Sequence, residues 1–339
     1  MILKNNKIGI TLYVIISFIL GFTACESTGT QGKGLLSSSG RSGEMLVVCQ
    51  SSAWKGALGD SLRSMFMSSL ECLPQNEPYF TLSHISNDKF NAIYQKQRNI
   101  LYVDINSSYT EAKVTVSKDK WASPQLIITL FVSDEKAAIA LAATHKDKIM
   151  SLFLDSEIKR FQRAQFAQQD KSIDKKLKKS YKLSMIVPQG FIFAVKNENF
   201  CWMRKETKYW GQSILIYTED YTDTSMFSNT YIVALRNKMT KQYVFGSLDS
   251  SYMIVDEKFI PTKSDFYDFN GMYGVKTQGI WKMVGDYMGG AFVNYTLLDT
   301  KRNRVISLDG FLYAPTDDKR DLLRQIEAVL LSTKLENET

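Results

Sequence analysis

From residue 44 onward the chain alternates between short apolar runs and amphipathic stretches. MLVVC (45–49) is a continuous apolar run of strand length, so residues 44–49 are expected as a buried strand. A short polar turn follows. Trp54, Leu58, Leu62, Met65 and Phe66 then recur at helical spacing and predict a helix with one apolar face. LPQNEPYF (73–80) holds two prolines and no helical period, so it reads as a loop. TLSHI (81–85) predicts a second strand, and NDKFNAIYQKQ (87–97) a short helix with Asn87 or Asp88 as its cap. NILYVDI (99–105) is a clear strand, and KVTVSKD (113–119) alternates as an exposed strand does. QLIITLFVS (125–133) is apolar and β-branched, the signature of a central strand. With Ser133 as N-cap, a helical pattern follows through Ile139, Leu141, Ala142, Ile149, Leu152 and Phe153. Strands interleaved with helices define an N-terminal α/β-type domain over 43–155.

Residues 156–180 break this pattern. They are polar and helix-favouring and carry eight Lys or Arg from Lys159 to Lys179. Such a stretch is either a basic face held against anionic lipid or a partner, or a solvated linker helix between domains; the linker is the expectation. Beyond Tyr181 the pattern turns to strands, with runs at 212–221, 251–259, 273–284, 290–299 and 305–315 and turns at Gly289–Gly290 and Lys301–Asn303. NTYIVALRNKMTKQYV (229–244) fits a helix or a strand followed by a turn. The last element is amphipathic through Leu322, Leu323, Ile326, Val329 and Leu330. The expected architecture is α+β, in two layered domains. The second, 181–335, is an antiparallel sheet closed by the terminal helix.

The first 42 residues follow a different logic. Lys4 and Lys7 precede the apolar run 8–22, too short for a comfortable membrane span, and F-T-A-C (22–25) resembles a bacterial lipobox. Residues 1–24 are therefore expected as a lipoprotein signal peptide, with Cys25 as the lipidated residue. Residues 25–42, rich in Gly and Ser, are expected as a flexible tether. The charge suits a soluble protein that tolerates acidic surfaces. Of 42 basic residues, removal of Lys4 and Lys7 leaves 40 against 35 acidic ones, too mild an excess to indicate nucleic acid. Cys49, Cys72 and Cys201 remain, an odd number, so at most one disulfide can form; Cys49–Cys72 is the possible pair and three buried thiols the expectation.

Candidate chemistry is sparse. His84 and His145 lack partners at metal-ligand spacing, so no metal site is expected, and no Walker A loop or G-x-S-x-G elbow is present. No cofactor is implied. Glu219, Asp220 and Asp223 form an acidic turn without the spacing of a calcium loop. Cys49, where a strand gives way to a helix, could be a thiol nucleophile, but its apolar run argues for an inert buried side chain. Phe266, Tyr267, Phe269, Tyr273, Trp281, Tyr287, Phe292 and Tyr295 crowd the C-terminal half. Either they pack the sheet or some form a stacking platform, with Trp281, Tyr287 and Phe292 as candidate binding residues.

With the lipobox, the segments G-E-M-L-V-V, S-x-W-x-G-x-L-G-D-S-L-R, L-P-Q-x-E-P, W-A-S-P-Q (121–125), G-I-W-K-M with M-G-G-A-F-V (279–293), and G-F-L-Y-A-P with K-R-D-L-L-R-Q-I-E-A-V-L (310–330) resemble an uncharacterised family of Bacteroidota-type lipoproteins carrying a domain of unknown function. The resemblance implies an envelope lipoprotein and supplies no catalytic residue. Over 181–334, P-Q-G-F, F-C-W-M and a final helix after A-P resemble the PsbP-like α/β/α sandwich, which implies a binding or assembly factor. The expected function is that of a non-enzymatic binding or assembly lipoprotein, held to a bilayer through acylated Cys25 and facing the periplasm. Its partner would be an envelope protein or glycan. The alternative is an envelope hydrolase or thiol-dependent enzyme using Cys49 or a histidine.

Overall fold

The computed structural model describes residues 34–336 apart from 247 and 249. Cys25 and the leader before it lie outside the described residues. From Leu36 onward the chain forms one compact unit.

The N-terminal half holds β1 (Leu36–Ser37), β2 (Glu44–Val48), α1 (Ser51–Lys55), α2 (Ala57–Phe66), β3 (Thr81–Ile85), β4 (Asn99–Ile105), β5 (Lys113–Lys118), β6 (Ala122–Ser123), β7 (Leu126–Val132), α3 (Glu135–Thr144) and α4 (Lys146–Phe166). Its main sheet runs β3–β2–β4–β7–β5, parallel except for the edge strand β5. One face buries Met45, Val47, Leu62, Phe66, Phe80 and Phe153 beneath the helices. The other face, with Leu46, Val48, Ile100 and Ile127, packs against Phe90, Tyr102 and Trp121.

Several local expectations shift. The short helix expected over 87–97 is two single 3₁₀ turns, Asn87–Lys89 and Tyr94–Lys96. Gln125 explains part of this, because its amide donates to the carbonyls of Gln95 (2.6 Å) and Gln97 (2.8 Å) and draws them out of a helical ladder. Asp134, not Ser133, caps α3, accepting from the Ala137 amide at 2.9 Å. The first helix breaks at Gly56 into α1 and α2. A Cβ at Gly59 would overlap the Trp54 carbonyl, so only glycine fits where the two segments fold together. The end of the expected tether is part of the fold: β1 pairs in parallel with β6, and the Ser39 amide donates to the Lys96 carbonyl at 2.8 Å.

The C-terminal half holds α5 (Lys171–Tyr181), β8 (Leu183–Ser184), β9 (Ile192–Lys196), β10 (Phe200–Glu206), β11 (Gly211–Asp220), α6 (Asn229–Tyr243), β12 (Tyr252–Val255), β13 (Lys263–Phe269), β14 (Met272–Val284), β15 (Gly289–Asp299), β16 (Arg304–Tyr313), α7 (Arg320–Leu330) and β17 (Lys334–Leu335). Eight strands form an antiparallel sheet in the order β12–β14–β15–β16–β11–β10–β9, with β13 also paired to β14. The expected α+β class and the sheet closed by a terminal helix are both present. Residues α5 and α7 bury Ile173, Leu177, Ile326 and Val329 on one face, and α6 buries Val233, Leu235 and Met239 on the other. The turn between β14 and β15 falls at 285–288, so Gly289 and Gly290 start a strand instead of making the turn.

A fully buried ion pair fixes α6 on its face. The Arg236 guanidinium donates to both Asp309 oxygens (2.9 and 3.3 Å), Asn294 donates to the same carboxylate (3.1 Å), and the Phe292 ring lies 3.9 Å beneath the guanidinium. Such a pair adds little net stability, but only one position of α6 satisfies it.

Residues 156–180, expected as one linker helix, are the end of α4 and nearly all of α5. Within α4, Glu157 and Arg160 are buried. Glu157 accepts from Arg160 (2.6 Å), Asn99 (2.7 Å), Ser42 (3.1 Å) and the Gly43 amide (3.2 Å). Gln162 and Gln165 of α4 donate to carbonyls of Ala328 (3.2 Å) and Gln325 (2.7 Å) on α7. The start of α7 is capped from the N-terminal half: Glu77 accepts from the amides of Lys319 (2.8 Å) and Arg320 (2.8 Å). Glu77→Ala is expected to cost about 1–2 kcal/mol in equilibrium denaturation. The same change at exposed Glu71, whose partner is Lys263, is expected to stay within about 0.5 kcal/mol.

Candidate functional site

The strands of the C-terminal sheet outrun the helix laid across them. The 15 residues of α6 span about 22 Å, whereas the 11 residues of β15 span about 37 Å. Past the end of α6 the sheet is left open, and an aromatic groove of about 520 Å³ lies there. Its floor is Trp202 and Trp281 with Phe311, Met253 and Met283. One wall is the β10–β11 turn with Tyr209; the other is the chain leaving α6, with Phe245.

The floor presents no free indole donor. Trp202 Nε1 donates to the Ser213 hydroxyl (3.1 Å) and Trp281 Nε1 to the Leu312 carbonyl (3.2 Å). A Cβ at Gly290 would overlap that carbonyl and crowd the Trp281 indole, so glycine is required for this approach. The groove's surface is mainly apolar, with Arg204, Glu206 and Lys208 also among its lining, which suits an apolar segment better than a sugar with hydroxyls to satisfy. Tyr209 and Phe245, 59% and 62% exposed, stand open at the rim, while Arg204 lies 5.5 Å over the Trp202 ring.

The three aromatics singled out from sequence are separated. Trp281 is in the groove floor, 2% exposed. Phe292 lies below it in the core, under Arg236. Tyr287 is fully exposed on the β14–β15 turn, beside Met288 of the groove wall. Of the others, Phe269 and Tyr295 are core, and Phe266 and Tyr273 are exposed together 5.5 Å apart. Trp202, Tyr209, Phe245, Phe311 and Tyr313 were not anticipated in a site. They come from three distant segments, and only the strand order brings them to one end of one face.

A second cavity, about 320 Å³, lies where α4, the 70–79 loop, β13–β15 and α7 meet. Its polar centre is Glu327, which receives Lys276 Nζ at 2.6 Å and the Tyr295 hydroxyl at 2.6 Å. Burial alone would lift the Glu327 carboxyl; Lys276 and the two hydrogen bonds more than offset it and hold it below its ordinary value. Burial likewise pulls on Lys276, and the Glu327 charge more than offsets that, holding the ammonium above its ordinary value.

Among the described residues the thiols, Cys49, Cys72 and Cys201, are all buried and free. Burial, with Glu135 adding to it, pushes Cys49 up to about 11; burial pushes Cys72 up to about 11 and Cys201 up to about 12. The pairing of β2 with β3 brings His84 to Cys49, which sequence distance did not suggest. The imidazole Nε2 donates to the Cys49 carbonyl at 3.0 Å, not to its thiol, and the ring stacks on Trp54 at 4.9 Å. His145 follows α3 as its C-cap. Glu219 is taken up by Tyr231 (2.8 Å) and Lys238 (2.9 Å), and Asp223 caps a 3₁₀ turn through the Ser225 amide. Among the described residues no cluster of three acids, histidines or cysteines could hold a metal.

With this geometry in hand, the comparisons are clear on family. Residues 170–332 match the family model described as Domain of unknown function (DUF4837), and residues 38–166 match Domain of unknown function (DUF8532). Each half of the chain thus matches one uncharacterised family. No curated protein matches it. Two solved structures are distantly similar: the Saccharomyces cerevisiae Ran-binding protein Mog1p (TM-score 0.30) and a mutant of protein Mog1 (TM-score 0.29). Each is 9% identical and covers 45% of this chain and 90% of its own. Likeness at that level carries no argument.

Two outcomes follow. Iodoacetamide at neutral pH is expected to leave Cys49, Cys72 and Cys201 unmodified in the folded protein and to label all three after denaturation, as mass spectrometry would read. Glu327→Gln is expected to cost about 2–3 kcal/mol at pH 7, less than for a fully buried pair because Lys276 keeps some exposure. Since Glu327 is held low, its stabilisation is fully present above an unfolded value of about 4.3 and lost as the pH falls through the folded value. Denaturation curves of the two proteins should therefore converge in acid.

Proposed function

We propose that this chain is a lipid-anchored envelope lipoprotein, facing the periplasm, that acts as a non-enzymatic binding or assembly factor. The aromatic groove takes an apolar segment of an envelope partner protein. The observation that carries this is the aromatic groove itself, in which both floor indole donors are spent internally, Tyr209 and Phe245 stand exposed at the rim and the surface is mainly apolar. The anchor rests on the lipobox-like F-T-A-C and the Gly/Ser-rich stretch after it. A binding role is favoured over thiol chemistry because Cys49, Cys72 and Cys201 are buried and held protonated. No helix among the described residues is long and apolar enough to cross a membrane.

The test has two readouts on protein purified from its own membranes. Mass spectrometry is expected to find a diacylglycerol-bearing Cys25; an unmodified thiol there would defeat the anchor. A photo-crosslinking residue at Tyr209, on the groove wall, is expected to capture a defined envelope protein. Capture should drop at least about tenfold with Trp202→Ala, a loss of about 1.4 kcal/mol. Capture that survives Trp202→Ala, or is matched by a crosslinker at Val116 on exposed β5, would remove the groove from the proposal.

A further inference from the structure

The densest unspent charge lies on α5. Its buried side is Ile173, Leu177 and Tyr181, so the helix is fixed and its other side faces outward. Lys171, Lys175, Lys176 and Lys179 are exposed there, with Lys182 after the helix and Lys196 at the end of β9. Among the described residues, none of these six ammonium groups has a hydrogen bond or ion pair. The acid of this helix, Asp174, is already engaged by Lys178 (2.8 Å), the Ser184 hydroxyl (2.6 Å) and the Met185 amide (3.2 Å). Its N-cap acid, Asp170, accepts from the Ser172 and Ile173 amides.

Three of the lysines converge. Lys176, Lys179 and Lys196 ring a shallow hollow with Ser180 and Phe193, and no carboxylate lines it. Lys176 Nζ sits 5.4 Å over the Phe193 ring. The hollow's own surface is mainly apolar, and Lys176, Lys179 and Lys196 with Ser180 supply donors about it for the oxygens of one phosphate and an apolar surface to whatever carries it. The remaining lysines extend along a helix of 11 residues, about 16 Å. A spread of single charges on one exposed helix face matches a planar anionic surface, where each lysine contributes additively. It does not match duplex nucleic acid, since the chain as a whole is only mildly basic.

We propose that the exposed face of α5, with Lys196, is a docking surface for anionic phospholipid, and that the hollow between Lys176, Lys179 and Lys196 holds one headgroup phosphate. This builds on the membrane-anchored reading above. The lipid at Cys25 would hold the protein at the bilayer, and the lysine face would set which side of it lies down.

The test uses the compact unit from Leu36 onward, which carries every core described and no acyl group. Sedimentation with phosphatidylcholine vesicles holding about one quarter phosphatidylglycerol should show binding that weakens as salt rises. Pure phosphatidylcholine should show none. The triple change Lys176→Gln, Lys179→Gln and Lys196→Gln should weaken binding roughly 100-fold. These side chains are exposed, and an unchanged thermal midpoint would confirm folding. Lys113→Gln, Lys118→Gln and Lys258→Gln together remove the same charge elsewhere and should leave binding within about threefold. Equal losses in the two triples would reduce the effect to net charge and overturn the proposal. So would full competition by inorganic phosphate, which would make the hollow a free-phosphate site. An unmodified Cys25 in the membrane-purified protein would instead defeat the anchor and leave this binding standing.

Discussion

The carboxylate of Glu77 holds the molecule together in a way that neither half could manage alone. A helix begins with backbone amides that have no partner inside it. In α7 those amides belong to Lys319 and Arg320, and their acceptor comes from a loop some 240 residues earlier. Arg320 and Arg324 reply by donating to the carbonyls of Pro78 and Tyr79. Because α7 also supplies Leu323, Ile326 and Val329 to the C-terminal core, its cap, its packing and the junction of the two halves are one problem with one solution. Two families of unknown function thus meet in a single body.

That constraint fixes the surfaces. With α5 and α7 on one face of the sheet and α6 on the other, the end that α6 is too short to reach is left open. The Arg236–Asp309 pair decides where α6 stops, because the helix cannot slide along its strands without stranding two buried charges. The groove is therefore a consequence of a length mismatch held in register by an ion pair.

Much of the fold was legible in the chain. The 3.6-residue spacing of Leu322, Leu323, Ile326 and Val329 is enough to give α7, and the alternating and β-branched runs give β4, β5 and β7. Several of the misreadings share a cause, namely partners distant in sequence. Glu157 and Arg160 look like solvated charge until Asn99 and Gly43 are placed beside them. Leu36 and Ser37 have no pattern to read because β1 is held by backbone hydrogen bonds alone. The site was only partly visible: Trp281 was found, but Phe292 serves the core and Tyr287 the turn. Their neighbours Trp202 and Phe311 become site residues only through a strand order that no local signal encodes. The lysines of α5 were visible as charge, while the fact that Lys196 joins them had to come from the sheet.

The groove floor is made as much of sulfur as of rings. Met253 and Met283 are shielded, but Met288 stands partly open beside the fully exposed Tyr287. A thioether that gains one oxygen changes from a pliable apolar filler to a stiff polar group. Outside the reducing interior of a cell such a change is ordinary chemistry, reversible only where a reductase is at hand. In the proposed function, oxidation of Met288 would loosen the groove's hold on an apolar guest and so tie it to the oxidant level of the surroundings.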